Sequence, residues 1–483
     1  MNVRYSCGFL VLPHSVASSP FSVDYRMHSL TAYTNRGSCV LPGEVTDNII
    51  DHLHADTETL RATALVSWAW LPSSQHHLFY ITRCQCTAPG KGFAEFVAWS
   101  SSAQYALAHI MILLIIEGNF TERNSGDTKR PEVFVQDVEI VMERLTSLVG
   151  LTIRGVTLTS RVPAGELYRP AKHGTLNLLI IWMVTTVDSA FYPVFHLLSL
   201  FTKIDHLSVN NLECAWISEL ATVSSSGLAP PIEDAPEVDA LSVVSVDPEG
   251  RWSGHRCMVH LFRHIHPRWK LKRLEMVISG VPLQDVLSDF LPDCDATLSC
   301  LCINAAVYVL ANMIAQAEGR TPGLWPVPSL RGCCCLQTLE LSIHVARGTA
   351  LTGRSGEAFM RKCFERTLIL SSEILLATPP TLRKVEITFK AEDDYDDDSL
   401  RLAELPEWSR LDDALCVLGE DVEVVCLMAR GIEAVYNGHA HHAFCAQYCG
   451  MDKETEERIA LLKKVLPMTQ ASGRLRFQLF SVA

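Results

Sequence analysis

Positive charge is in short supply: 41 Lys and Arg stand against 54 Asp and Glu, a net charge of -13 over 483 residues. Affinity for nucleic acid comes largely from Lys and Arg displacing counterions, so this balance, with no basic patch to offset it, argues against a nucleic-acid partner. A secretory leader is not expected either. The early apolar run Phe9 to Leu12 is short, is broken by Pro13 and has only Arg4 before it. Without a leader or an even disulfide framework, the 17 cysteines read as reduced core residues of a cytoplasmic or nuclear protein. Long apolar runs are scarce too. The stretch from Leu176 to Phe201 is free of Lys and Arg, but Asp188, Pro193 and His196 interrupt it. A carboxylate at mid-bilayer costs roughly 2.5 to 3.5 kcal/mol, so the expectation is a buried helix pair and no membrane span.

Catalytic signatures are absent as well. The chain has no Gly-x-Ser-x-Gly elbow, no Walker glycine loop, no HExxH and no glycine fingerprint opening a helix after a strand. The expectation is a protein that is not an enzyme. Hydrophobic residues at 48% and charged residues at 20% nevertheless place the chain with folded proteins. Its length suits either several compact domains or one small domain joined to a repeat array.

Ordered signals are densest from Leu41 to Phe79. Pro42 suits a first helical turn, and Val45, Ile49, Ile50 and Leu53 then fall on one helical face. Asp56 and Thr57 offer caps for a second helix with Leu60, Ala64, Leu65 and Trp68 on its apolar face. Pro72 is expected to stop that helix, and Ser73 or Ser74 to cap a third that carries Leu78 and Phe79. Three short helices form a marginal core alone, which leaves either the start of a larger domain or a surface that a partner covers.

The order Leu41-Pro42, Glu44, Ile49-Ile50, Leu53, Leu60, Ala64-Leu65-Val66-Ser67, Trp70 and Leu78-Phe79 resembles the F-box, in the style of the F-box-like families of mushroom-forming fungi. That resemblance implies a substrate-recognition subunit of a Skp-cullin-F-box type ubiquitin ligase. The partners it implies are a Skp-type adaptor with its cullin ligase complex, and an unknown protein substrate. The adaptor-binding residues it implies are Leu41, Pro42, Ile49, Ile50, Leu53, Leu65, Val66 and Trp70. Pro42, Ile49, Ile50 and Val66 are the candidates for an exposed patch, whereas Leu60, Leu65 and Trp70 are candidates for holding the helices together. No cofactor or metal is implied. The alternative is an interaction scaffold in which the helices only cap the array that follows.

Residues 1–38 show no sustained period and read as a flexible leader, with the helical element at 39–83 and a poorly patterned piece before 103. From there to residue 483 an apolar spacing of 3, 3, 2 and 3 recurs. It reads Leu145, Leu148, Leu151, Ile153, Val156; then Phe201, Ile204, Leu207, Val209, Leu212; then Ala235, Val238, Leu241, Val243, Val246. Partial copies occur around Leu114, Leu274, Leu301, Leu339 and Val385. A step of two is strand-like, and the flanking steps of three carry the chain around a bend. The pattern resembles the core of leucine-rich repeats, here degenerate: Leu114 to Leu151 is 37 residues, and the next intervals are 56, 34, 33, 27, 38 and 46. Amphipathic return segments such as Pro282 to Leu291 complete the expected fold class. That is α/β, a three-helix F-box-like element followed by an irregular leucine-rich-repeat solenoid with a parallel sheet. Ordinary α/β strands that coincide with the pattern are the competing reading.

Three segments read as insertions: Thr121 to Lys129, Ser224 to Pro236, and the acidic Glu392 to Asp398, which lacks the glycine and the spacing of a calcium loop. Asp421 to Leu427 and Leu475 to Phe480 alternate like closing strands. His439, His441, His442, Cys445 and Cys449 carry groups that zinc accepts, but without a second ligand pair they read as a polar helix with two buried thiols. Cys333, Cys334 and Cys335 read as core.

Overall fold

The computed structural model describes residues 42–53, 56–86, 91–102, 109–118, 130–162, 172–186, 192–214, 235–245, 270–278, 296–305, 329–345, 354–391, 404–430 and 453–481, with the single positions 291, 294, 309 and 313. Leu41, the leader, the return segment before Leu291, the acidic run and the His439 to Cys449 segment lie outside the described residues.

Three helices come first: α1 (Gly43–Asp51), α2 (Thr57–Val66) and α3 (Leu71–Tyr80). The last runs directly into β1 (Ile81–Cys86) and thus into an α/β unit. The main strands are β1, β2 (Leu113–Gly118), β4 (Gly150–Arg154), β6 (His173–Trp182), β8 (Phe201–Asn210), β10 (Glu237–Ser245), β11 (Arg273–Ile278) and β12 (Cys300–Ile303). Four more follow: β13 (Thr338–Val345), β14 (Lys384–Ala391), β15 (Glu423–Arg430) and β16 (Leu475–Ser481). They form one twelve-stranded parallel sheet in which these strands lie side by side in the order just given.

The register explains why the step of two recurs. Leu114, Leu151, Leu179, Leu207, Leu241, Leu274, Leu301, Leu339, Val385 and Val424 are partners in succession, and all are buried. Two residues on, Ile116, Ile153, Ile181, Val209, Val243, Met276, Ile303, Leu341, Ile387 and Cys426 form a second buried ladder. A one-residue slip in any strand would turn its aliphatic pair to the other face, so burial of the ladders sets the register.

The interval of 56 between Leu151 and Leu207 hides a unit. Leu179 lies between them, 28 residues from each, on β6. The expected helix pair at Leu176 to Phe201 is thus corrected: this stretch is strand β6, strand β7 (Thr185–Thr186) and one helix, α6 (Tyr192–Ser199). Leu176, Leu179, Ile181 and Val184 keep the 3, 2, 3 spacing, but Leu178 and Ile180 between them are apolar too and mask the alternation.

The flanking steps of three round a corner. After β4, β6 and β8 the chain turns at Gly155, Met183 and Asn211, with φ of 64°, 52° and 48°. It then enters the short strands β5 (Thr157–Thr159), β7 and β9 (Glu213–Cys214), which with β3 (Glu132–Phe134) make a second parallel sheet. Each corner amide donates to the next unit: Gly155 N to Trp182 O at 2.9 Å, Met183 N to Asn210 O at 2.8 Å, Asn211 N to Val244 O at 2.7 Å. Val156, Val184 and Leu212, one residue past each corner, are buried. Gly155 meets the left-handed φ at no steric cost, whereas Met183 bears about 1 to 2 kcal/mol of strain there. Gly118 faces Gly155 so closely that a Cβ on it would lie 1.9 Å from the Gly155 carbonyl oxygen.

Helices cover the ladder side. They are α4 (Lys91–Ser102), α5 (Val135–Arg144), α6, α7 (Arg354–Leu376), α8 (Glu407–Val417), α9 (Lys453–Val465) and α10 (Pro467–Ala471). Phe93, Phe96, Val138, Val141, Leu197, Phe364, Leu368 and Leu411 join the ladders in one continuous core. Residues 91–102, featureless by periodicity, form α4 because Phe93 and Phe96 fill the space behind β1. Asp412 on α8 caps α10 from a neighbouring helix. Its carboxylate accepts from Met468 N at 2.8 Å, Thr469 N at 2.9 Å and Thr469 Oγ1 at 2.5 Å. Of the three adjacent cysteines, Cys333 is core as expected but Cys334 is exposed and Cys335 half-buried, because the chain turns there before β13 and cannot aim all three inward. Among the described residues no helix is long and apolar enough to cross a membrane.

Candidate functional site

The three N-terminal helices are held to one another by short polar ties. Asp56 caps α2 as the sequence suggested, accepting from Thr59 N at 3.0 Å and Thr59 Oγ1 at 2.6 Å. Those hydrogen bonds hold its carboxyl below the usual carboxylate range. Thr63 on α2 donates to Leu60 O at 2.9 Å, so the buried contact of 3.0 Å to Ser74 on α3 leaves Ser74 as the donor. His77 Nε2 lies 2.8 Å from Asp51 Oδ1, and Ser73 donates to Asp47, which fastens α3 to α1. Pro72 does not stop α2. That helix ends at Val66, Ser67 is extended, and Pro72 sits in the first turn of α3, where a missing amide costs nothing.

Ile50 and Leu60 are buried, yet neither belongs to the continuous core, which begins at Cys84. The element therefore has a small core of its own. Burial of Ile50 corrects its expected place in an exposed patch: on α1 it falls on the same side as Thr46, also buried, and turns toward α3. Leu65 is corrected in the opposite sense. It was a candidate for holding the helices together, and it stands 88% exposed at the end of α2, beside Val66 at 66% and Trp68 at 86%. Trp68 lies beyond the helix, in the turn to α3, so it cannot share the face of Leu60. Pro42 and Ile49 are exposed as expected, while Leu53 and Trp70 are half-buried. Spacing alone could not separate Ile49 from Ile50, since neighbours on a helix differ by about 100° and either can face inward.

The sheet offers a second surface, on the face opposite the ladders. There Arg273 on β11 forks onto Glu340 on β13 at 2.5 and 2.6 Å, over Cys300 on the strand between. Burial alone would raise the Glu340 carboxyl, but the Arg273 hydrogen bonds and charge outweigh it and hold it low; burial pushes the Cys300 thiol up to about 12. Arg154 pairs with Glu117 at 2.6 Å and lies 5.8 Å from the Trp182 ring centroid. Lys203 bridges Asp205 at 2.7 Å and Asp239 at 2.8 Å, and those hydrogen bonds raise its pKa. Charge on these strands is paired across neighbours rather than left as a field of one sign.

One contact that sequence inspection missed joins residues 36 apart: Ser160 Oγ lies 3.1 Å from His196 Nδ1. Ser160 also accepts from Gln136 Nε2 at 3.0 Å and Val162 N at 3.2 Å, so its own proton goes to the imidazole. Burial lowers the His196 pKa to about 4 and keeps the ring neutral. The ring is buried in α6 against the core, and the contact ties that helix to the corner after β5. Among the described residues no three His, Cys, Asp or Glu side chains are grouped to hold a metal ion. No family model matches the chain, and no curated protein matches it.

Proposed function

We propose that the protein is a substrate-recognition subunit of a Skp-cullin-F-box type ubiquitin ligase, with α1 to α3 an F-box-like element and the strand array a degenerate leucine-rich-repeat solenoid. The observation that carries this reading is where apolar surface is left uncovered. Of eleven large apolar side chains exposed among the described residues, seven lie between residues 45 and 81: Val45, Ile49, Leu65, Val66, Trp68, Tyr80 and Ile81. Exposed apolar side chains concentrated in one small element mark a surface that a partner covers. Aromatic side chains such as Trp68 and Tyr80 are the kind of anchor that dominates binding energy once desolvated.

The array supports the other half of the reading. Strands stacked in chain order carry partly exposed polar pairs such as Arg273 and Glu340 on the face opposite the ladders. The mechanism is proximity: adaptor and target are held on one chain, and the target's effective concentration beside a charged conjugating enzyme rises without chemistry in the receptor. A capping role for the helices would instead bury Leu65, Val66 and Trp68 against the array, and all three face solvent.

Co-purification with a Skp-type adaptor tests the reading. Leu65→Asp with Val66→Asp should abolish capture and leave thermal unfolding unchanged. Retention of the adaptor by that variant, or failure of the unaltered chain to bind one, would favour the scaffold.

A further inference from the structure

Charge changes sign where the helical element begins. Residues 42–80 carry Glu44, Asp47, Asp51, Asp56 and Glu58 against Arg61, a net charge of -4, and all five carboxylates stand on exposed residues of α1 or of the start of α2. The exposed Val45, Ile49, Leu65, Val66 and Trp68 belong to the same two helices and the turn that follows them. A cover that fits this surface must bring apolar side chains and positive charge together. Residues 1–41, which lie outside the described residues, have that composition. They carry Arg4, Arg26 and Arg36 against Asp24, a net charge of +2 in a chain of -13, together with the apolar run Phe9 to Leu12.

Connectivity favours this segment over a separate molecule. Leu41 is bonded to Pro42, the exposed residue that precedes α1. A coil as long as residues 13–41 spans about 30 Å on average, against about 15 Å for a helix of 10 residues such as α2, so the run reaches any face of the element. Tethering of that kind corresponds to an effective concentration of about 1 mM, and contacts too weak to join separate molecules are then occupied within one chain. We propose that residues 1–41 mask the helical element: the run Phe9 to Leu12 lies on Leu65, Val66 and Trp68, and the arginines lie against the carboxylates of α1 and α2. A partner must displace the segment, so its apparent affinity is reduced in proportion to the fraction of chains left unmasked. Masking is a property of this chain alone and does not depend on that partner being a ligase adaptor.

Hydroxyl-radical footprinting of the full chain, with no partner added, reads the masking at Leu65, Val66 and Trp68. These three should be labelled several-fold more slowly in the unaltered chain than in Leu10→Asp with Leu12→Asp, at equal melting temperature. Arg26→Glu with Arg36→Glu should also speed their labelling, and so should added salt, because screening weakens attraction between exposed charges. Equal labelling of the unaltered chain and the Leu10→Asp with Leu12→Asp variant would overturn the proposal. So would labelling that neither salt nor arginine reversal changes, or protection that grows with protein concentration, since a second copy would then be the cover. Adaptor titration into the same chains keeps the two readings apart: absence of binding to all of them counts against the ligase, whereas the footprint alone decides masking.

Discussion

Leu65 and Leu207 are the same residue put to opposite use. Leu207 sits mid-sheet with Leu179 on one side and Leu241 on the other, and none of its surface reaches solvent. Leu65 lies in the last turn of a helix in an element whose small core is closed by Ile50 and Leu60, and it projects into solvent. Burying a leucine side chain stabilises a fold by about 1.5 to 3 kcal/mol, so the array spends its apolar residues on folding and the helical element withholds several of its own. The contrast implies that the exposed set is selected by something other than the stability of this chain.

Substitutions can break or sharpen that contrast. The largest effect is expected at the ladders: Leu207→Ala should cost about 2 to 5 kcal/mol in chemical denaturation, whereas Leu65→Ala should change stability by less than about 0.5 kcal/mol. A smaller loss is expected where two units touch through glycine. Gly118→Ala must push its Cβ against the Gly155 carbonyl, and a cost of about 1 to 3 kcal/mol should appear as a lower melting temperature. Asp412→Ala removes the acceptor for two α10 amides and should cost about 1 to 2 kcal/mol, with faster exchange at Met468 and Thr469.

The smallest effect concerns pH. His196 and His206 are held to about 4 from an ordinary 6.5, chiefly by burial, so in that interval the unfolded chain binds protons that the folded chain does not. Stability should then fall as pH drops from about 6.5 to about 4. His206→Gln should flatten the slope of unfolding free energy against pH; an unchanged slope would show that this ring titrates normally in the fold.

Much of the array was legible because one constraint repeats. A buried parallel strand needs two aliphatic residues at i and i+2, and Leu151 with Ile153 or Leu339 with Leu341 declare that spacing plainly. β6 escaped because Leu178 and Ile180 are apolar as well, and a run that is apolar on both faces has no period to read. The corner at Met183 was illegible for another reason: the hydrogen bond to Asn210 O imposes a left-handed φ on a residue whose type does not ask for it. In the helical element, the cap at Asp56 and the helices themselves followed from local chemistry. Which of Ile49, Ile50, Leu60 and Leu65 turns inward depends on how α1 and α2 pack on α3, and that information is tertiary. For the same reason the paired variant Ile49→Asp with Ile50→Asp would conflate unfolding with lost binding, and the exposed pair Leu65 and Val66 is the better probe.

If the exposed apolar side chains of α1 to α3 bind an adaptor, calorimetric titration of a purified Skp-type adaptor into the full chain should show saturable binding. Leu65→Asp and Val66→Asp should each weaken it by about 2 kcal/mol or more, roughly 30-fold, at unchanged melting temperature. Absence of heat and of complex with the unaltered chain, or variants that bind as tightly as the unaltered chain, would overturn that assignment.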